Sequence, residues 1–71
     1  MYTESYKTNV RTKKDASLIV VLLQFIISDC IIYFDFKNRQ RILRIETNRD
    51  IKDMVYDVFN KQGFYCQKLN A

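Results

Sequence analysis

Residues 6–15 read Tyr6-Lys7-Thr8-Asn9-Val10-Arg11-Thr12-Lys13-Lys14-Asp15, and the hydrophobic period changes inside them. Tyr6, Thr8 and Val10 alternate with Lys7, Asn9 and Arg11, the period of two expected of a half-buried strand. From Thr12 the pattern becomes helical. Thr12-Lys13-Lys14-Asp15 has the form of a capping box, in which the Thr hydroxyl accepts from the amide three residues on and the acid reaches back. Asp is shorter than the usual Glu, which weakens the returning bond. The pattern predicts a helix from about Lys13 to Ser28.

The second half repeats this order. Ile31 to Phe36 is rich in β-branched and aromatic residues and reads as a second strand. Lys37-Asn38-Arg39 is the polar break before a third strand, Arg41-Ile42-Leu43-Arg44-Ile45, and so short a link predicts an antiparallel hairpin. Thr47-Asn48-Arg49-Asp50 repeats the capping pattern and predicts the start of a second helix. Behind it, Ile51, Met54, Val55, Val58 and Phe59 fall at i, i+3, i+4, i+7 and i+8, one apolar stripe. Gly63, the only glycine, can take the left-handed position that ends a helix. Asp57 and Lys61 form an i, i+4 pair, and Phe64 to Leu69 makes a fourth strand.

The order strand, helix, strand, strand, helix, strand predicts an α+β chain, a ferredoxin-like βαββαβ two-layer sandwich. Right-handed crossovers place both helices on one face of an antiparallel sheet ordered 4-1-3-2. Residues 1–71 make a single domain. Its expected core takes Tyr6, Thr8 and Val10 from the first strand, Ile32, Phe34 and Phe36 from the second, and Leu43 and Ile45 from the third. Phe64, Cys66 and the two helical stripes complete it.

The totals limit the function. With one Gly and no Pro among 71 residues, there is no linker or low-complexity tract. Twelve Lys and Arg against eight acids give a net charge of +4, a weak preference for anions that falls short of a nucleic-acid footprint. The basic residues are scattered along the chain (Lys13, Lys14, Lys37, Arg39, Arg41, Arg44, Lys61, Lys68) and read as solvated surface charges. Leu18 to Ile27 is apolar except for Gln24, yet is about half the length of a bilayer span. With no secretory signature at Met1-Tyr2-Thr3-Glu4 and only two cysteines, a cytoplasmic protein without membrane insertion is expected.

Tyr6 to Val10, the helix residues Ile19, Leu22, Leu23 and Ile26, the run Ile42-Leu43-Arg44-Ile45-Glu46, the Ile51/Val55/Val58 stripe and Gly63-Phe64 occur in this order over about Tyr6 to Leu69. In that ordered set the chain resembles heavy-metal-associated domains, the fold of small copper chaperones and of metal modules appended to transporters. The resemblance implies a C-x-x-C pair between first strand and first helix, where two thiolates hold a soft ion such as Cu(I). Here the matching positions are Thr12 and Asp15. A hydroxyl and a carboxylate are hard donors that serve as a helix cap rather than a soft-metal site. Cys30 and Cys66 fall on opposite edge strands, too far apart for a bridge, and read as buried apolar side chains. No metal and no cofactor are expected.

Catalytic machinery is equally absent. The chain has no His, so Ser5, Ser17 and Ser28 have no imidazole base. Asp53 and Asp57 share a helix face as solvated charges. Acylphosphatases share the element order and depend on an Arg in a loop after the first strand. Arg11 stands near that place without the glycine-bearing cradle, and no enzyme is expected.

Two surfaces remain. The first helix carries no charge between Asp15 and Asp29, and Leu18, Val21 and Phe25 are apolar outside its core-facing stripe. A solvated helix face normally carries charges, so this one is expected to contact an unidentified protein or a second copy of the chain. The open sheet face should present Lys7, Asn9, Ile42 and Arg44 from the central strands, flanked by Ile31, Tyr33, Asp35, Tyr65, Gln67 and Leu69. RNA-recognition domains use such a face, with stacking aromatics on the central strands; Lys7, Tyr33, Arg44 and Tyr65 are the candidate ligand residues. The central strands offer no aromatic there, and nucleic acid is not the expected partner. The reading is a non-catalytic interaction module without metal-binding cysteines. Alternatives are copper or zinc handling through Asp15, Cys30 or Cys66, and weak RNA binding on the open face.

Overall fold

The computed structural model describes residues 2–69. Its elements are β1 (Tyr2–Thr8), α1 (Lys13–Ile26), β2 (Ile31–Asp35), β3 (Ile42–Thr47), α2 (Lys52–Lys61) and β4 (Cys66–Leu69). The chain is α+β, with one four-stranded sheet ordered β2-β3-β1-β4 and antiparallel at every pairing. Read from the other edge, this is the expected 4-1-3-2.

Register sets the two faces. Leu43 lies opposite Tyr6 on one side and Phe34 on the other, and Ile45 lies between Glu4 and Ile32. Side chains alternate along a strand, so these residues share the face that the helices cover. Tyr6, Leu43, Ile45 and Cys66 join Ala16, Ile19 and Leu23 of α1 and Val55, Val58 and Phe59 of α2 in one core. Ile32, Phe34, Phe36 and Phe64 pack against that core only partly buried, because β2 and β4 are the sheet's edges. Ile42 has the alternation of the open face but is buried, which corrects its placement among the exposed residues there.

α1 begins where the sequence places it. Thr12 has extended backbone, φ −116 and ψ 153, and its Oγ1 accepts from the Asp15 amide at 3.1 Å. Among the described residues no bond returns from the Asp15 carboxylate, as its short side chain suggests. The helix stops at Ile26, two residues before the expected Ser28, with Ile27 buried as its C-cap. Its core-facing line is Ala16, Ile19, Leu23 and Ile27. Ile26, expected to face the sheet, lies off that line and is exposed.

The second capping pattern does not cap. Thr47 is the last residue of β3, paired with Tyr2 and buried, and its Oγ1 accepts from the Arg49 amide at 3.3 Å. The ladder and the core claim it before a helix can. α2 instead starts behind Ile51, a fully buried residue with no capping side chain, while Asp50 Oδ1 accepts from the Lys52 amide at 3.4 Å. The helix ends as expected. Gly63 has φ +79, the Phe64 amide donates to the Phe59 carbonyl at 2.8 Å, and Lys61 pairs with Asp57 at 3.0 Å.

β1 also lies further toward the N-terminus than the expected Tyr6–Val10. Thr3 and Ser5 pair with Glu46 and Arg44 of β3, and the polar character of this segment hid the strand. Val10 lies past the strand's end yet remains fully buried.

Candidate functional site

α1 has two apolar faces. The buried one makes the core; the other carries Leu18, Val21 and Phe25, spaced i, i+3 and i+7, which puts them on one line along the helix. All three are exposed, Phe25 most of all at 88%. Ile26, 47% exposed, widens the stripe beside Phe25. Charges stand only at the ends: Lys13, Lys14 and Asp15 in the first turn, and Asp29 beyond the last. Asp29 is held by Arg49 at 2.8 Å.

Val21 also borders a groove of about 350 Å³ between α1 and β2, lined further by Ala16, Val20, Phe34 and Phe36 together with Lys13 and Ser17. The two Phe rings stack at 4.9 Å with planes 25° apart. Because β2 is an edge strand, nothing beyond it closes this groove from the side. The stripe and the groove therefore form one continuous, mostly apolar surface through Val21.

The open sheet face brings Tyr33, Arg44, Ser5 and Leu69 into one row, since each is the register partner of the next. A shallow depression of about 260 Å³ lies here, lined by Thr3, Ile31, Tyr33, Arg44 and Glu46. Tyr65 is exposed but precedes β4, where its amide donates to Asn9 Oδ1 at 2.7 Å. Lys7 is only half-buried on the same face. The exposed aromatics thus sit at opposite edges, away from the central strands β1 and β3.

At the mouth of α1, Thr12 and the Asp15 amide are joined by the cap bond. Thr12 Oγ1 is the helix cap. Cys30 lies just before β2, not within it, and its Sγ donates to the Ile27 carbonyl at 3.0 Å. Burial, followed by the neighbouring Asp29 charge, raises its thiol pKa. Cys66 is buried in β4 at the far edge, where desolvation pushes its thiol up to about 12. Both cysteines are free. Among the described residues no three His, Cys, Asp or Glu side chains gather as a metal set, and no helix is long and apolar enough to cross a membrane.

Two further arrangements were not foreseen from sequence. Glu4 is a buried carboxylate on the core side of β1, accepting from the Tyr6 hydroxyl and lying 3.9 Å from Lys68 Nζ. Tyr6 packs edge-on against Tyr56 at 6.0 Å, and the Tyr56 hydroxyl accepts from the Lys68 amide at 3.0 Å. Desolvation by burial, then the bond to Glu4, raises the Tyr6 phenol pKa. The second arrangement gathers Arg11, Arg39 and Arg41, scattered in sequence, around one cleft.

Compared with known proteins, the chain matches no family model, no curated protein and no solved structure.

Proposed function

We propose that this chain is a non-catalytic interaction module that pairs with a second copy of itself through α1. Its form is read as a ferredoxin-like two-layer sandwich similar to heavy-metal-associated domains, with a helix cap where those carry thiolates. Free, buried or half-buried cysteines suit the reducing environment of the cytoplasm.

The observation that carries the reading is the exposed Leu18/Val21/Phe25 line on a helix without charges between Asp15 and Asp29. A two-fold axis passing between Val21 and Leu22 would set Leu18 of one copy against Phe25 of the other. The same axis sets Val21 of one copy beside Val21 and Leu22 of the other, so the stripe meets itself along its length. An isologous contact needs such self-complementarity. A partner of different sequence would need an apolar stripe of the same spacing.

Size decides the strength. α1 has 14 residues and is about 21 Å long, so its outer face alone falls well short of the roughly 800 Å² per partner of a stable interface. The α1–β2 groove adds area, and the expected dimer is weak, with a dissociation constant on the order of 100 µM. Sedimentation velocity from about 10 µM to 1 mM brackets that value. The reading expects a monomer-to-dimer shift that Phe25→Glu abolishes; a monomer throughout the range contradicts it.

A further inference from the structure

Arg11, Arg39 and Arg41 meet at the end of the sheet where β1 leads into α1, around a cleft of about 440 Å³ completed by Thr8 and Asn9. We propose that this cleft binds a multiply charged phosphate group carried on a small molecule, such as inorganic pyrophosphate or the tail of a nucleoside triphosphate. The inference stands apart from the α1 surface and survives if that reading fails.

Three cations sharing one cleft repel one another unless an anion lies between them. Among the described residues none of the three is neutralised: the ion pairs there are Arg49–Asp29, Lys61–Asp57 and Lys68–Glu4. No carboxylate lines the cleft to repel a phosphate. Guanidinium forks match phosphate oxygens two at a time.

The hairpin backbone that carries Arg39 and Arg41, and the Arg41 side chain itself, are also held in place. The β2–β3 hairpin is stitched to the end of β1 by the Thr8 amide donating to the Gln40 carbonyl at 2.9 Å and by Thr8 Oγ1 donating to the Arg41 carbonyl at 2.8 Å. Arg41 has φ 51, a left-handed conformation that a side-chain-bearing residue keeps only where its surroundings hold it. They do: its Nη1 donates to the Phe36 carbonyl at 3.0 Å, and the guanidinium lies over the Phe36 ring at 5.7 Å. The remaining N–H groups of its fork stay available. Asn9 Oδ1 accepts from the Tyr65 amide, which leaves the Asn9 amide nitrogen as a further donor. The cleft's volume is within the range of small-molecule sites, and the chain's exposed stacking aromatics lie off the central strands. These observations favour a small phosphorylated molecule over a polynucleotide.

The experiment is an NMR titration of the full chain with sodium pyrophosphate, with a nucleoside triphosphate and with a single-stranded RNA of increasing length. The expected result is saturable shifts at Thr8, Asn9, Arg11 and Gln40, with affinity falling about tenfold in Arg11→Gln and in Arg39→Gln, each removing a charged hydrogen-bond donor. Both side chains are exposed and make no hydrogen bond among the described residues, so the variants keep the fold, as circular dichroism will show. Equal affinity for the two small ligands assigns recognition to the phosphates; a preference for the nucleotide adds contacts beside the cleft, and both support the proposal. It is overturned if Lys52→Gln on α2 weakens binding as much as Arg39→Gln, or if only RNA binds, with an affinity that depends on Tyr33.

Discussion

Leu18 and Phe25 stand two helical turns apart on the side of α1 away from the sheet, both exposed, while Ile19 and Leu23 between them are fully buried. The helix is therefore apolar on opposite faces, and only one face serves the fold. Replacing Phe25 by Glu leaves the core untouched, so unfolding free energy should change by no more than about 0.5 kcal/mol. Ile19→Ala, by contrast, should cost roughly 2–5 kcal/mol. Urea denaturation of both variants measures the difference.

The cap at the mouth of α1 makes a separate prediction. Thr12 Oγ1 satisfies the Asp15 amide, so Thr12→Ala should destabilise the chain by about 1 kcal/mol. Thr12→Ser keeps the acceptor and should restore most of that. If the loop instead held a soft ion through Asp15, Cu(I) would raise the melting temperature in an Asp15-dependent way. The account expects no such rise at stoichiometric metal.

The buried corner of β1 is tested by Tyr6→Phe. The change keeps the ring that packs on Tyr56 and removes the hydroxyl that Glu4 accepts from. A buried carboxylate left without that donor should cost roughly 1–3 kcal/mol. Combining Tyr6→Phe with Glu4→Leu removes the stranded acceptor as well, and should recover a large part of the loss in the same denaturation assay.

Alkaline pH reports on Cys66. Its thiol is raised from 9.0 to about 12 in the folded chain because burial disfavours the thiolate. The unfolded chain therefore loses this proton first, and the folded state retains it between these values. The stabilisation is fully present below about pH 9 and is lost as pH rises toward 12, by on the order of 1 kcal/mol per pH unit. Tyr6, also raised, steepens the fall at higher pH. Cys66→Ser should flatten the slope of stability against pH from about 9 upward.

What the sequence made legible follows from where each signal came from. The 6–15 stretch located the first strand-to-helix change because Tyr6 and Thr12 each do locally what their type prefers. The order of elements and the α2 stripe were readable for the same reason. The second T-x-x-D motif misled because Thr47 has a long-range duty: it pairs with Tyr2 and is buried, a fact carried by the first strand's register and not by its neighbours. The same register hid Glu4, since an acid in a polar run gives no sign that Tyr6 and Lys68 will receive it. The α1 stripe was visible as missing charge. The arginine cleft was not, because only the hairpin's seat on Thr8 brings Arg39 and Arg41 to Arg11.

The pairing of α1 with a second copy is tested most directly by isotope-filtered NMR on a mixture of labelled and unlabelled chains at millimolar concentration. The account predicts intermolecular contacts between the Leu18 methyls of one copy and the Phe25 ring of the other, with none from Ile19 or Leu23. A spectrum without intermolecular contacts to α1, from a chain that remains monomeric at that concentration, would contradict it.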